Sequence, residues 1–214
     1  MPRTADHDAR RREIAAAVHR LVATVGLDAA TVAGVAREAG FSVGLVQHYF
    51  RSKDDLLLFA YRQVTAAVGD RVAARVAEGE RERRPVADAV FESLRELLPL
   101  DDRGRDEYRV THAFLGRSLD DPALAEVART TAAGIRARLA AAVANGKACG
   151  EVEPALDPAT AATHIAALVD GLAEQLHQDP ARTVGGRPLV AAAEDLIRTC
   201  LAGVFTGECR HDGR

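Results

Sequence analysis

A chain of 214 residues, 48% hydrophobic and 28% charged, is long enough to bury roughly 70% of its unfolded surface without covalent staples, and this balance excludes general disorder and a membrane-embedded protein. Aromatic residues make up 4%, there is no Trp, and 43 residues are Ala, which favours helices over sheets. The net charge of −3 is uneven: residues 1–53 hold eight Arg/Lys against five Asp/Glu and the remainder twenty against twenty-six, so the N-terminal end suits an anionic partner. Cys149, Cys200 and Cys209 form no C-x-x-C pair and have no clustered His, so no metal site, cofactor or disulfide framework is expected. No apolar run reaches the roughly 18 residues that span a bilayer, and MPRTADHDARRR lacks a signal peptide's apolar stretch. A cytoplasmic protein with reduced thiols is expected.

Turn residues divide the chain into an all-α fold of about nine helices, most with apolar positions three and four apart. The first helix is expected over about Arg10 to Val25, stopped by Gly26. Thr31 caps a short helix to Ala39, stopped by Gly40, and Ser42 caps a second, Val43 to Phe50. Ser52-Lys53-Asp54-Asp55 has capping-box spacing, with Asp in place of Glu, and opens a long helix to about Glu78. Further helices are expected from Pro85 to about Leu98, from Arg105 to Leu119, from Pro122 to Ala144 where Asn145-Gly146 stops it, from Pro158 to Leu176, and from near Pro188 to Phe205. Asp121-Pro122 and Asp157-Pro158 both read as an N-cap followed by proline at the first helical position. A division at 1–52 and 53–214 follows, a short-helix head and a long-helix body.

Two short helices around a tight turn, directly after a basic first helix, are what a helix-turn-helix requires. The other reading of that spacing is a small helical hairpin in a core. In the first reading Val32, Val35 and Ala36 pack on Ile14, Val18, Val46 and Phe50. That leaves Ser42, Val43, Gly44, Gln47 and His48 on a face small enough to enter a major groove, where Gln47 has the donor and acceptor to read adenine. The stretch TVAGVAREAGFSVGLVQHYFRSKDDLL resembles the DNA-binding signature of the TetR family of bacterial repressors. The resemblance rests on Thr31, Ala36, Ala39, Gly40, Ser42, Val43, Gly44, Tyr49, Phe50, Lys53, Leu56 and Leu57 and covers about Arg11 to Leu58. It implies phosphate contacts from Thr31, Tyr49 and Lys53 and base contacts from the Ser42 to His48 face. Hydroxyls and a cation at helix starts suit phosphate on physical grounds too. Arg10, Arg11 and Arg12 are either a solvated arm or a reach to the flanking DNA.

Past residue 100, Phe114, Asp121-Pro122-Ala123-Leu124, Gly150-Glu151, Leu156-Asp157-Pro158, Ala167-Leu168 and Asp170-Gly171-Leu172 resemble the ligand-binding domain of the BetI-like branch. That implies a small-molecule effector but does not fix it. Choline-type cations sit in aromatic cages, and outside the reading head and the far tail only Phe59, Tyr61, Phe91, Tyr108 and Phe114 are candidates. Polar groups among apolar positions make Tyr108, Thr111, His112, Leu115 and Arg117 the expected effector contacts; the alternative for His112 is an internal, satisfied histidine. A helix-turn-helix dimer places two recognition helices about 34–36 Å apart, so a homodimer is expected to bind a palindromic double-stranded operator. Ile165, Leu168 and Leu172 of the penultimate helix and Leu196, Cys200 and Val204 of the last are its candidate interface; the alternative is two fully internal helices. Catalysis is not expected, because G-x-S-x-G, H-E-x-x-H and phosphate-loop patterns are missing. The rival to a ligand-released repressor is an architectural DNA-binding protein without a ligand, or an activator.

Overall fold

The structure, a computed structural model, describes residues 2–209, with side chains from residue 7 onward. Among the described residues it is helical, as the composition implies, apart from one pair of two-residue strands. The order is α1 (Pro2–Thr24), a 3-10 turn (Leu27–Ala29), α2 (Val32–Ala39), α3 (Val43–Tyr49), α4 (Lys53–Arg81), α5 (Val86–Arg95), α6 (Asp102–Arg117), α7 (Pro122–Cys149), α8 (Pro158–Gln178), β1 (Thr183–Val184), β2 (Arg187–Pro188) and α9 (Leu189–Ala202). No helix among these residues is long and apolar enough to cross a membrane.

The helix starts follow the caps. Thr31 accepts from the Gly34 N–H at 3.0 Å, Ser42 from the Leu45 N–H at 3.1 Å and Asp157 from the Thr160 N–H at 2.8 Å. Each satisfies a donor that the first helical turn leaves open, a contribution of about 1 kcal/mol. At α4 half of the box forms: Ser52 accepts from the Asp55 N–H, while the Asp55 carboxylate reaches one residue further back and accepts from the Arg51 N–H.

Three features differ from expectation. α1 begins at Pro2 rather than near Arg10, because no Gly or Pro interrupts residues 3–25; apolar periodicity marks where a helix packs, not where it starts. α7 runs through Asn145-Gly146 to Cys149. Gly146 serves close packing there, since a Cβ on it would stand 2.7 Å from Val152 and 2.9 Å from Phe205, and the chain turns instead at Gly150, with φ 99°. Finally, Gly185 and Gly186 do more than end a segment. With φ of 59° and 77° they form a two-residue turn that pairs Thr183 with Pro188 and Val184 with Arg187, a geometry that non-glycine residues resist.

Packing divides the chain into two units, Met1–Ala67 with Asp106–Arg129, and Val68–Arg105 with Thr130–Arg214. The first holds the whole expected head and adds the start of α4, most of α6 and the start of α7. Its core joins Ile14, Val18, Val22, Val35, Val46, Phe50, Leu56, Tyr61, Phe114 and Leu124, with the Tyr61 and Phe114 rings stacked at 5.0 Å. Each such side chain contributes about 1.5–3 kcal/mol through burial. The second unit packs α8 on α9 and α5 on α9. Arg198 lies over the Phe91 ring at 3.6 Å, and Arg95 pairs with Glu194 at 2.9 Å.

Candidate nucleic-acid interface

The head is built so that one side of α3 is committed and the other is not. Val46 and Phe50 are buried with Val35 and Ala36 of α2 and with Ile14 and Val18 of α1, and Val32 packs against the same cluster. This is the packing read from the sequence. Gly34 permits the tight entry to α2: a Cβ there would stand 2.6 Å from the Ala29 carbonyl oxygen. Gly40, at φ 71°, makes the left-handed turn between α2 and α3.

The uncommitted side of α3 carries Ser42, Val43, Gly44, Gln47 and His48, all exposed. Val43 is 43% exposed, which leaves its methyl groups available to an outside apolar group such as a thymine methyl. Nothing lies within 4 Å of the Cβ position of Gly44, so no neighbour in the chain requires glycine there. Thr31 and Ser42 use an oxygen lone pair as caps, yet each hydroxyl keeps its hydrogen to donate outward. Lys53 is exposed as the first residue of the 29-residue α4. Tyr49 is half-buried, its ring 4.8 Å from His7 and 5.2 Å edge-on to His48, so it is positioned by packing with its hydroxyl still able to bond.

The consecutive arginines 10–12 of α1 separate. Arg10 pairs with Glu13 at 2.8 Å and Arg12 is exposed. Arg11 turns inward: its guanidinium lies 4.8 Å from the Phe50 ring and 4.2 Å from the Phe59 ring, and 4.0 Å from the Asp55 carboxylate. A cation placed over two rings clamps α1 to the end of α3 and the start of α4. The sequence reading missed this role, since nothing in local spacing links residue 11 to residues 50, 55 and 59.

The expected effector contacts are placed differently. On α6 the buried side belongs to Val110 and Phe114. Tyr108 and Thr111 are half-buried, while His112, Leu115 and Arg117 are exposed, and the Tyr108 and His112 rings stack at 5.6 Å. The expectation that these residues enclose a ligand is corrected to that extent: a 3.6-residue period that turns Val110 and Phe114 inward carries Tyr108, His112 and Leu115 to the other side, and Arg117 ends the helix. Two cavities in the second unit are lined by none of them. The first, about 340 Å³, has Arg71, Arg75, Arg81 and Arg103 with Glu78 and Glu96 in its wall. Glu96 accepts from Arg71 at 3.1 Å, Arg75 at 3.0 Å and Arg103 at 3.1 Å. Burial works against its charge, but these hydrogen bonds and the arginine charges outweigh it and hold the carboxyl below its ordinary range.

Of the candidate interface residues, Ile165, Leu172 and Val204 are 1%, 3% and 6% exposed and lie in the chain's own core, the first two on α8, which packs on α9, and Val204 just past the end of α9. They are corrected to core residues. Leu168 and Cys200 are half-buried and Leu196 is 42% exposed, which leaves these three for an outside surface.

Spacing also gave no sign that Cys149, Glu151 and Cys209 meet, yet their ligating atoms all lie within 4.8 Å of one another. Glu151 accepts from the Val86 and Ala87 N–H groups at 2.9 and 3.1 Å, and Cys149 donates to it at 3.3 Å. Burial pushes the Cys149 thiol up to about 11.

A helix-turn-helix head with a solvent-facing recognition helix, joined by continuous helices to a larger helical unit, defines the class of helical DNA-binding transcriptional regulators. Residues 14–59 match the family described as bacterial regulatory proteins, tetR family, and residues 85–202 match the BetI-type transcriptional repressor C-terminal region. The regulator PksA of Bacillus subtilis is 30% identical over 99% of this chain and 100% of its own length, and the regulator BetI of Cronobacter sakazakii is 32% identical over 80% and 81%. A transcriptional regulator from Rhodococcus is structurally similar, with TM-score 0.73 at 35% identity, covering 91% of this chain and 97% of that one. A protein from Saccharomonospora viridis described as a transcriptional regulator, in complex with choline, shares the fold with TM-score 0.76 at 24% identity over 90% and 95%. The chain belongs to the TetR family, with a BetI-type C-terminal domain. It is a transcriptional regulator and not an enzyme.

Proposed function

We propose that this protein is a cytoplasmic homodimeric repressor that binds a palindromic operator through α3 and leaves it when a small molecule occupies the second unit. The observation that carries this reading is the uncommitted face of α3, fixed from behind by Val46 and Phe50 and bounded by hydroxyls and a lysine suited to phosphate. Ser42, Val43, Gly44, Gln47 and His48 are its base-facing residues, and Thr31, Tyr49 and Lys53 hold the backbone. Selection from a random duplex library tests it: a palindrome with half-sites about one helical turn apart is expected. Recovery of no preferred sequence would point to the architectural reading instead.

The dimer rests on the outer side of α8 and α9, where Leu196 lies exposed and Leu168 and Cys200 half-buried. Leu196→Glu places a charge in that apolar surface and is expected to give monomers in sedimentation. An intact dimer would put the interface elsewhere.

For the effector, the arginine-rich cavity has four Arg against two Glu in its lining, which favours an anionic molecule and disfavours a quaternary ammonium. The aromatic residues available for a cage support the same conclusion, since Tyr61, Phe91 and Phe114 are buried in packing. Arg71, Arg75 and Arg81 belong to α4, the helix that begins at Lys53. A ligand that favours a different position of α4 would change how the two heads meet DNA, with a coupling of about 1–3 kcal/mol. Small carboxylates and phosphates added to the operator complex are expected to release it, and operator must weaken their binding by the same factor.

A further inference from the structure

We propose that Cys149, Glu151 and Cys209 form a binding site for a thiophilic divalent cation of the Zn²⁺ and Cd²⁺ type. Two thiols and one carboxylate are a donor set that d¹⁰ cations prefer and that Mg²⁺ and Ca²⁺ do not. The three ligating atoms are already gathered within 4.8 Å of one another. Around a tetrahedral Zn²⁺, with Zn–S near 2.3 Å, two sulfurs stand about 3.8 Å apart and a sulfur and an oxygen about 3.6 Å. The 3.3 Å from Cys149 Sγ to Glu151 Oε1 is close to the second figure. The remaining adjustment is on the order of 1 Å, within reach of a rotation of the half-buried Cys209.

The convergence does not depend on an ion. Val152 bridges to Phe205, and the Gly207 N–H donates to the Glu151 carbonyl at 3.0 Å. A Cβ on Gly207 would stand 2.2 Å from the Gly150 carbonyl oxygen, so glycine is what lets this segment return close enough to carry Cys209 to Cys149. Glu151 is oriented separately, by the backbone N–H groups of Val86 and Ala87 at the start of α5, as outer partners orient a ligand in established metal sites. Its Oε1 receives the Cys149 S–H, and the cation takes the place of that proton on the same side of the oxygen. Binding gives up two S–H bonds for two metal–sulfur bonds and releases two protons to water. With three protein ligands the fourth position is left for water, and the adjoining cavity of about 360 Å³, lined by Glu151, Phe205 and Cys209 among others, supplies the route to it. A site with an open position exchanges its ion more readily than a closed four-cysteine site.

The test uses the full chain, kept reduced with a phosphine, and Cd²⁺ as the probe. One Cd²⁺ per chain is expected in native mass spectrometry, with a sulfur-to-cadmium charge-transfer band in the ultraviolet that Zn²⁺ suppresses by competition. Cys209→Ser is expected to weaken binding more than about 100-fold, beyond the 10–100-fold loss typical of removing an outer partner. Because Cys209 is half-buried and follows α9, this variant should keep the wild-type circular dichroism. Cys200→Ser, which removes a thiol outside the cluster, should bind as wild type. Absence of the band, equal binding by Cys209→Ser, or loss of binding in Cys200→Ser would each overturn the assignment. Operator binding by the ion-free protein is a separate measurement, so failure here leaves the reading of α3 intact.

Discussion

In the first unit the polar side chains of α3, Ser42, Gln47 and His48, stand in solvent, and the nearby cations Arg51 and Lys53 have no ion-pair partner among the described residues. In the second unit comparable groups are turned on one another: Glu96 gathers Arg71, Arg75 and Arg103, Arg95 pairs with Glu194, and Glu151 holds the start of α5. In the second pattern the hydrogen bonds close within the chain, and the arginine-rich cavity keeps an excess of positive charge. The first is satisfied by water, and so can be satisfied by DNA at little internal cost, because a phosphate contact there displaces counterions rather than an existing protein partner. Rigidity from behind is the other half of the arrangement, since a face that is free to move reads nothing.

The most severe way to break this contrast is to spoil the buried side of α3. Val46→Asp places an unpaired carboxylate where no solvent reaches and should cost about 3–5 kcal/mol, enough to unfold the head. Loss of a cooperative transition and of all DNA binding is expected by circular dichroism and fluorescence anisotropy; an unchanged operator affinity would mean that α3 is not held as described. Next is Glu96→Gln, which leaves three guanidinium groups without their shared charge. The arginines are partly exposed, so a loss of about 1–3 kcal/mol in urea unfolding is expected, with DNA affinity in the absence of effector essentially unaltered. A fall in DNA affinity equal to the fall in stability would erase the distinction between the units. Smaller again is Lys53→Ala: operator and scrambled duplex should weaken together, with the salt slope reduced by about 1.

The same contrast explains what was legible in the sequence. Helix starts at Thr31, Ser42, Ser52, Asp121 and Asp157 are local devices, set by residues two to four apart, and the structure confirms each hydrogen bond. The exposed face of α3 is also local, since one helical period decides that Val46 is inside and Gln47 outside. Sites in the second unit depend on residues that the chain brings together from far apart. Glu151 bonds Val86 65 residues away, and Cys149 meets Cys209 only because a glycine allows the return. Tyr108, His112 and Leu115 show the complementary error: a mixture of polar and apolar residues suggested a cavity lining, while Val110 and Phe114 had already claimed the inward side of α6. For Ile165, Leu172 and Val204, apolar periodicity identified helices with a buried face but could not say whether the covering surface came from the same chain.

The claim that matters most is that the exposed side of α3 reads base sequence while its flanks only hold the backbone. Gln47→Ala tests it most directly, because Gln47 is exposed and its removal leaves the core of the head untouched. At fixed salt, affinities for the selected operator and for a scrambled duplex should be measured with wild type and variant. Operator affinity is expected to fall by about 1–3 kcal/mol for a bidentate contact, with preference relaxed at one base pair per half-site and scrambled-duplex affinity unchanged. An operator-to-scrambled ratio identical to wild type would contradict the assignment of this face to sequence recognition.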